Sequence, residues 1–138
     1  MKIVFDIEPM SQLRPRFTYK GYVHAYDPPK VARYKRMLNG IAAKKMAERG
    51  KKPLTGPLEV RMIFYRPIQT SLSKKEHAKR AIGEQLPDVK PDTDNYVKAM
   101  WDAMNGVVWE DDKQITDFSA KKRYSEHPRI ELEVLTLS

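Results

Sequence analysis

The sequence predicts an α+β fold, a single domain in which helices pack on a mixed β-sheet, and three observations carry that expectation. The chain has 138 residues, enough for one substantial core and too few for two. Segments at residues 2 to 8, 58 to 65 and 129 to 137 alternate apolar with polar side chains, the period of a half-buried strand. Between them, apolar residues recur at three-and-four spacing behind helix-start signals. The resulting order β, α, β, α, α, β, β calls for helices layered on a sheet.

Each element has its own justification. In the first strand Ile3, Phe5 and Ile7 point one way, Lys2, Asp6 and Glu8 mostly the other, and Pro9 ends it. From Met10 to Tyr26 proline, glycine, aromatic and basic residues mix without a period, which predicts an extended loop or irregular hairpin. Asp27-Pro28 supplies a capping acceptor followed by a proline suited to the first helical position. The long helix after it carries Val31, Tyr34, Leu38, Ile41 and Ala42 on one stripe, has a basic face of Lys30, Arg33, Arg36 and Lys44, and stops at Gly50. After Gly56-Pro57, Leu58, Val60, Met62 and Phe64 alternate with Glu59, Arg61, Ile63 and Tyr65 up to Pro67. Ser73 and Glu76 have capping-box spacing for a short basic helix that ends near Gly83 and has little apolar surface. The next helix spans Asp92 to Asn105, with Val97, Met100, Trp101 and Met104 on its stripe and Asn105-Gly106 as its stop. Strands are expected at about 115 to 124 and 129 to 137, the latter burying Ile130, Leu132 and Val134.

Composition narrows the chemistry. With 41% hydrophobic and 32% charged residues, the chain reads as soluble and globular, and no apolar run reaches membrane-spanning length. Acids interrupt the first eight residues, so no secretory signal is expected and the cytoplasm is the expected location. The absence of cysteine excludes disulfide frameworks, thiolate zinc sites, iron-sulfur clusters and cysteine nucleophiles. The formal charge of +8 favours a polyanionic partner, since binding nucleic acid releases condensed counterions.

Against that basic background the acids stand out. Asp92 and Asp94 lie two residues apart at a helix start, where both carboxylates can face one point and suit a hard divalent cation. The same pair also suits helix capping and the helix dipole. Glu110, Asp111 and Asp112 follow the helix. A helix of about 12 residues is roughly 18 Å long, so Asp112, or Asp111, meets Asp92 only if the returning strand doubles back along it. Three carboxylates so gathered repel one another severely without a cation. Asp94, Lys98 and Asp102 form a row along one helix face, which serves equally as a surface ion-pair ladder or as a presentation of Lys98 to a phosphate. His24, His77 and His127 show no metal-ligand spacing. Of the two tryptophans, Trp101 lies on the apolar stripe, and Trp109, beside the acidic turn, is the better candidate for contact with DNA.

Taken together, Lys90-Pro91-Asp92-Thr93-Asp94-Asn95, then Lys98, Asp102 and Gly106, then Asp111-Asp112-Lys113-Gln114-Ile115 resemble the signature of the RusA family of Holliday-junction resolvases. The resemblance extends to Arg14-Pro15-Arg16-Phe17, to Tyr26 through Lys30 and to Ser73-Lys74-Lys75 with Gly83. Met104 stands where leucine is commoner, and Arg14-Pro15-Arg16 is a reduced form of a longer proline-arginine run. The resemblance implies a RusA-like fold and a homodimeric endonuclease that cuts four-way DNA symmetrically in recombination and repair, with Mg²⁺ held by aspartates and Mn²⁺ able to substitute. Carried over by position, Asp92, Asp94 and Asp112 are the essential carboxylates, Lys98 the catalytic lysine and Asp111 a supporting acid and metal ligand. Arg14, Arg16, Lys74, Lys75, Lys90 and Trp109 are the expected DNA contacts. A prophage context is common in the family. The rivals are a broader branched-DNA or flap nuclease and a DNA-binding protein that keeps the fold without the chemistry.

Overall fold

The computed structural model describes residues 1–12, 16–19, 21 and 23–138, with only the backbone described at Arg16, Val23 and His24. Arg14, and the side chain of Arg16, lie outside the described residues. The elements in chain order are β1 (Lys2–Phe5), β2 (Arg16–Tyr19), β3 (Val23–Tyr26), α1 (Pro29–Glu48), β4 (Leu58–Pro67), α2 (Lys74–Ala81), α3 (Thr93–Met104), β5 (Ile115–Ser125) and β6 (Arg129–Thr136). β2 and β3 form a separate antiparallel hairpin, the irregular segment foreseen from its composition.

Four strands make the main sheet in the order β1-β6-β4-β5. β6 runs antiparallel to both β1 and β4, whereas β4 and β5 are parallel. A parallel pair needs a long crossover, and α2 and α3 occupy it. Consequently α3 runs opposite to β5: it starts where the parallel strands end and ends where β5 begins.

One face of the sheet carries the helices. Ile3, Phe5, Leu58, Val60, Met62, Phe64, Ile130 and Leu132 are each at most 1% exposed, as the alternation requires, and pack with Tyr34 and Leu38 of α1 and Val97, Met100 and Met104 of α3. The opposite face holds charges that are paired among themselves. Lys2 meets Glu131 at 3.1 Å, Arg61 meets Glu59 at 3.0 Å and Glu133 at 3.1 Å, and Arg129 meets Glu131 at 2.9 Å.

Local chemistry accounts for some of the helix ends. Ser73 Oγ accepts from Glu76 N at 3.2 Å, the expected cap of α2. Gly106, at φ +79°, allows the left-handed turn after α3. Asp27, expected to cap α1, does not: Pro28 occupies the cap position with no side-chain bond. Its carboxylate instead accepts from Lys35 Nζ at 2.8 Å and Gln12 Nε2 at 2.9 Å. An ammonium partner outcompetes a backbone N–H for an ionised carboxylate.

Candidate functional site

Asp92 occupies the N-cap position of α3, yet its side chain makes no capping hydrogen bond. The capping explanation of this residue therefore falls, and its exposed carboxylate has no partner among the described residues. Asp94 follows one residue into the helix and lies 3.7 Å from Lys98, with both side chains more than 60% exposed. The pair and the lysine thus share one solvent-facing corner of the first helical turns.

Neighbouring segments hold that corner in place. Lys122 of β5 donates from Nζ to the carbonyls of Val89 at 2.6 Å and Pro91 at 3.0 Å, which pins the chain just ahead of Asp92. Gln12 N donates to Asn95 O at 3.1 Å, which ties the chain at Gln12 to the first turn of α3. A cleft beside the helix start is lined by Lys30, Arg66, Pro91 and Tyr96 among others, and Arg66 Nη1 is buried without a hydrogen-bond partner among the described residues. Sequence reading missed Arg66 and Lys122. Arg66 sits in an alternating strand and Lys122 in a basic run, where only tertiary contacts separate these residues from their neighbours.

The third carboxylate is elsewhere. Asp112 opens a short 3₁₀ turn, Asp112–Gln114, and its Oδ2 accepts from Nδ2 of Asn105, the residue that closes α3, at 3.4 Å. Roughly 18 Å of helix separates this end from Asp92. The expectation that the returning strand carries Asp112 to the helix start is thus overturned. β5 does return along α3, but it reaches the helix start with Lys122, ten residues later. Among the described residues no group of three acidic or histidine side chains stands close enough to hold a metal ion.

The rest of the acidic box has a structural task. Asp111 Oδ1 accepts from Lys113 N at 2.9 Å while Gln114 Oε1 accepts from Asp111 N at 2.9 Å, a reciprocal capping box. Gln114 Nε2 also donates to the carbonyls of Leu54 and Gly56 at 2.9 and 3.0 Å. The row Asp94, Lys98, Asp102 is broken as well, since Asp102 pairs with Lys35 of α1 at 2.8 Å.

Trp109 corrects an expectation. It is fully buried, with Nε1 donating to Asn105 Oδ1 at 2.7 Å, and contacts no solvent. The turn after α3 folds the indole under the helix end, so Trp109 is a core residue and not a DNA contact. Trp101, half-buried, sits edge-on to both Trp109 and Phe118 at 5.6 Å. Lys74, Lys75 and Lys90 are exposed as a phosphate contact requires. His77 and His127 form surface pairs with Glu126 and Asp6.

Comparison with known proteins decides which fold family holds this corner. A family model described as Endodeoxyribonuclease RusA matches residues 6–135, from the end of β1 to the end of β6. The chain belongs to the RusA family. A relative in Bacillus subtilis (strain 168), the uncharacterized protein YqaN, is 38% identical over 134 residues, covering 95% of this chain and 92% of that protein. Members of the RusA family are endodeoxyribonucleases, so the RusA match assigns nuclease chemistry to this fold. The RusA-type match spans both ends of α3, and so includes both the Asp92-Asp94 corner and the distant Asp112.

Proposed function

We propose that this protein is a structure-selective endonuclease that resolves four-way DNA junctions by paired phosphodiester cuts, acts as a homodimer, and uses Mg²⁺. The observation that carries the reading is the Asp92-Asp94 corner: two exposed carboxylates, neither engaged in capping, beside Lys98 in a chain of the RusA family. A magnesium ion takes one or two carboxylates and fills its remaining positions with water and phosphate oxygens. Asp92 and Asp94 fit that role in part. The three-carboxylate set expected from the motif does not fit within one chain, because Asp112 stands at the opposite end of α3.

The chain's own residues supply the rest. Lys98 places a positive charge beside the carboxylates, where it offsets the charge that accumulates on a phosphate during attack. Lys74, Lys75 and Lys90 offer phosphate contacts that orient DNA without reading its sequence.

The test is cleavage of a synthetic four-way junction and of a linear duplex of the same arms, with Mg²⁺ and then with Ca²⁺. Symmetric cuts in the junction alone, in Mg²⁺ alone, are expected. Asp92→Asn and Asp94→Asn should each lower the rate at least 100-fold and leave junction binding unchanged or tighter, because a repelling charge is lost. Full activity in both variants would remove the site. The separation of Asp112 from Asp92 favours one other reading, a junction-binding protein without nuclease activity, and binding without cleavage under every cation would establish it.

A further inference from the structure

We propose that the cleft between β4 and the starts of α1 and α3 is a phosphodiester subsite, in which Arg66 holds the DNA phosphate next to the one that is cut. The inference rests on the nuclease reading for its place in a reaction, but its chemistry comes from a charge that the fold leaves without a partner. Leu58, Val60, Met62 and Phe64 are buried in alternation on the helix face of β4. The next position on that face is residue 66, where another apolar side chain would complete the layer. Arginine stands there instead, and its Nη1 is buried without a hydrogen-bond partner among the described residues. Arginine stays protonated in a protein interior, so it cannot shed the charge as a buried lysine can. A buried donor of this kind has lost its water and gained no acceptor, a costly state that a bound anion would relieve.

The surroundings of Arg66 suit such an anion. It lines a cleft of about 400 Å³ together with Lys30, Pro91 and Tyr96, room for a phosphodiester and its first waters. Of the described residues lining the cleft, Glu8 alone is acidic, and it is exposed. Lys30, exposed in the first turn of α1, adds a second cation. Burial raises the Tyr96 phenol above its ordinary 10.0, while the charge of Arg66 opposes that rise and the charge of Glu8 adds to it. The field of the guanidinium therefore reaches the cleft wall. Those walls are fixed before any ligand arrives: Tyr96 stacks on Phe64 at 5.1 Å, and Lys122 pins the carbonyl of Pro91 at 3.0 Å.

Position selects DNA as the source of the phosphate. Pro91 is both a wall of the cleft and the residue before Asp92. A scissile phosphate at the Asp92-Asp94 corner meets two carboxylates that repel it until a cation intervenes. The cationic cleft beside it takes the neighbouring phosphate without that requirement. A planar guanidinium can donate two parallel bonds to one phosphate, which sets the register of the strand against the corner and reads no base.

Two measurements on the full chain test the proposal, both with divalent cations chelated so that no strand is cut. The first uses Arg66→Met, which removes the charge and keeps an apolar stem on the helix face. Junction affinity should fall about tenfold, the scale of a hydrogen bond to a charged group, and the slope of log affinity against log salt should flatten by about 0.9. The urea midpoint should hold or rise, because an unpartnered charge has left a buried position. Arg66→Lys should recover part of the affinity. Unchanged affinity in Arg66→Met, or a loss that comes with a lowered urea midpoint, would make the arginine a structural residue and overturn the proposal. The second measurement scans an exchanging strand with single neutral methylphosphonates. Wild-type protein should lose affinity when the phosphate beside the cut is neutral, and Arg66→Met should be indifferent to that substitution, since two changes to one contact do not add. Equal losses in both proteins at every position would also overturn it. Should wild-type protein cut no junction once Mg²⁺ is supplied, the nuclease reading fails, and the scan with the salt slope still decides whether Arg66 holds a phosphate.

Discussion

Asp92 and Lys98 show how a residue's role is separated from its local convenience. A carboxylate at a helix start commonly binds the first backbone N–H groups, and an Asp-to-Asn change there disturbs the helix dipole. Asp92 makes no such bond. Asp92→Asn is therefore expected to shift unfolding free energy by no more than about 0.5 kcal/mol, the range of surface substitutions, so its loss of cleavage cannot be assigned to unfolding. Urea denaturation of the variant checks this. Lys98 is mostly exposed beside Asp94. Lys98→Ala should lower the rate at saturating Mg²⁺ and leave the Mg²⁺ requirement unchanged, as a group acting on the transition state does. A raised Mg²⁺ requirement with an unchanged saturated rate would make the lysine a partner of Asp94 and nothing more.

At the scale of elements, Lys35 ties α1 to its neighbours. Its ammonium is largely buried and bridges Asp27 at the helix start to Asp102 on α3, both at 2.8 Å. Burial alone pushes the Asp27 carboxyl up, yet the bonds from Lys35 and Gln12 and the charge of Lys35 together outweigh it and hold the group below its ordinary 3.8. Lys35 is held above its ordinary 10.5 for the converse reason: its burial is overcome by Asp102 and Asp27. A carboxylate depressed on folding stabilises the protein fully above its unfolded value, and that stabilisation fades as pH falls through the lower folded value. The Lys35 contribution runs the other way, present below 10.5 and lost as pH rises through the folded value. Lys35→Met should thus cost about 1.5–3 kcal/mol near neutral pH, the worth of bonds to a charged group. The deficit should shrink as acid protonates Asp27. Urea midpoints measured from pH 3 to pH 7 decide it, and a deficit constant with pH would show that the loss is one of packing.

For the whole molecule, the decisive asymmetry is between two faces of one sheet. The open face carries arginines already engaged, Arg61 with Glu59 and Glu133, Arg129 with Glu131. Around the helix layer Lys74, Lys75 and Lys90 are exposed and make no ion pair among the described residues. DNA should therefore lie against the helix side. Replacing those three lysines by glutamine should flatten the slope of log affinity against log salt by about 0.9 for each phosphate they neutralise. Arg61→Gln should leave it unchanged. Fluorescence anisotropy on a labelled junction reads both slopes, and an equal flattening from Arg61→Gln would move the DNA to the open face.

Periodicity and punctuation made most of the fold legible before any coordinate. The alternation of Leu58, Val60, Met62 and Phe64 is a property of the strand itself, and so is the Ser73 cap of α2, because each depends on neighbours a few residues away. The order of the acids in the RusA-like boxes was equally local, and it singled out Asp92 and Asp94 as candidates. Long-range partners were not legible. Asp27 looked like a cap until Lys35 and Gln12 claimed its carboxylate, and Trp109 looked exposed until the turn after α3 folded it inward. The place of Asp112 depended on the direction in which β5 runs along α3. Sequence spacing records separation along the chain, whereas the parallel pairing of β4 with β5 determines which end of the returning strand meets the helix start.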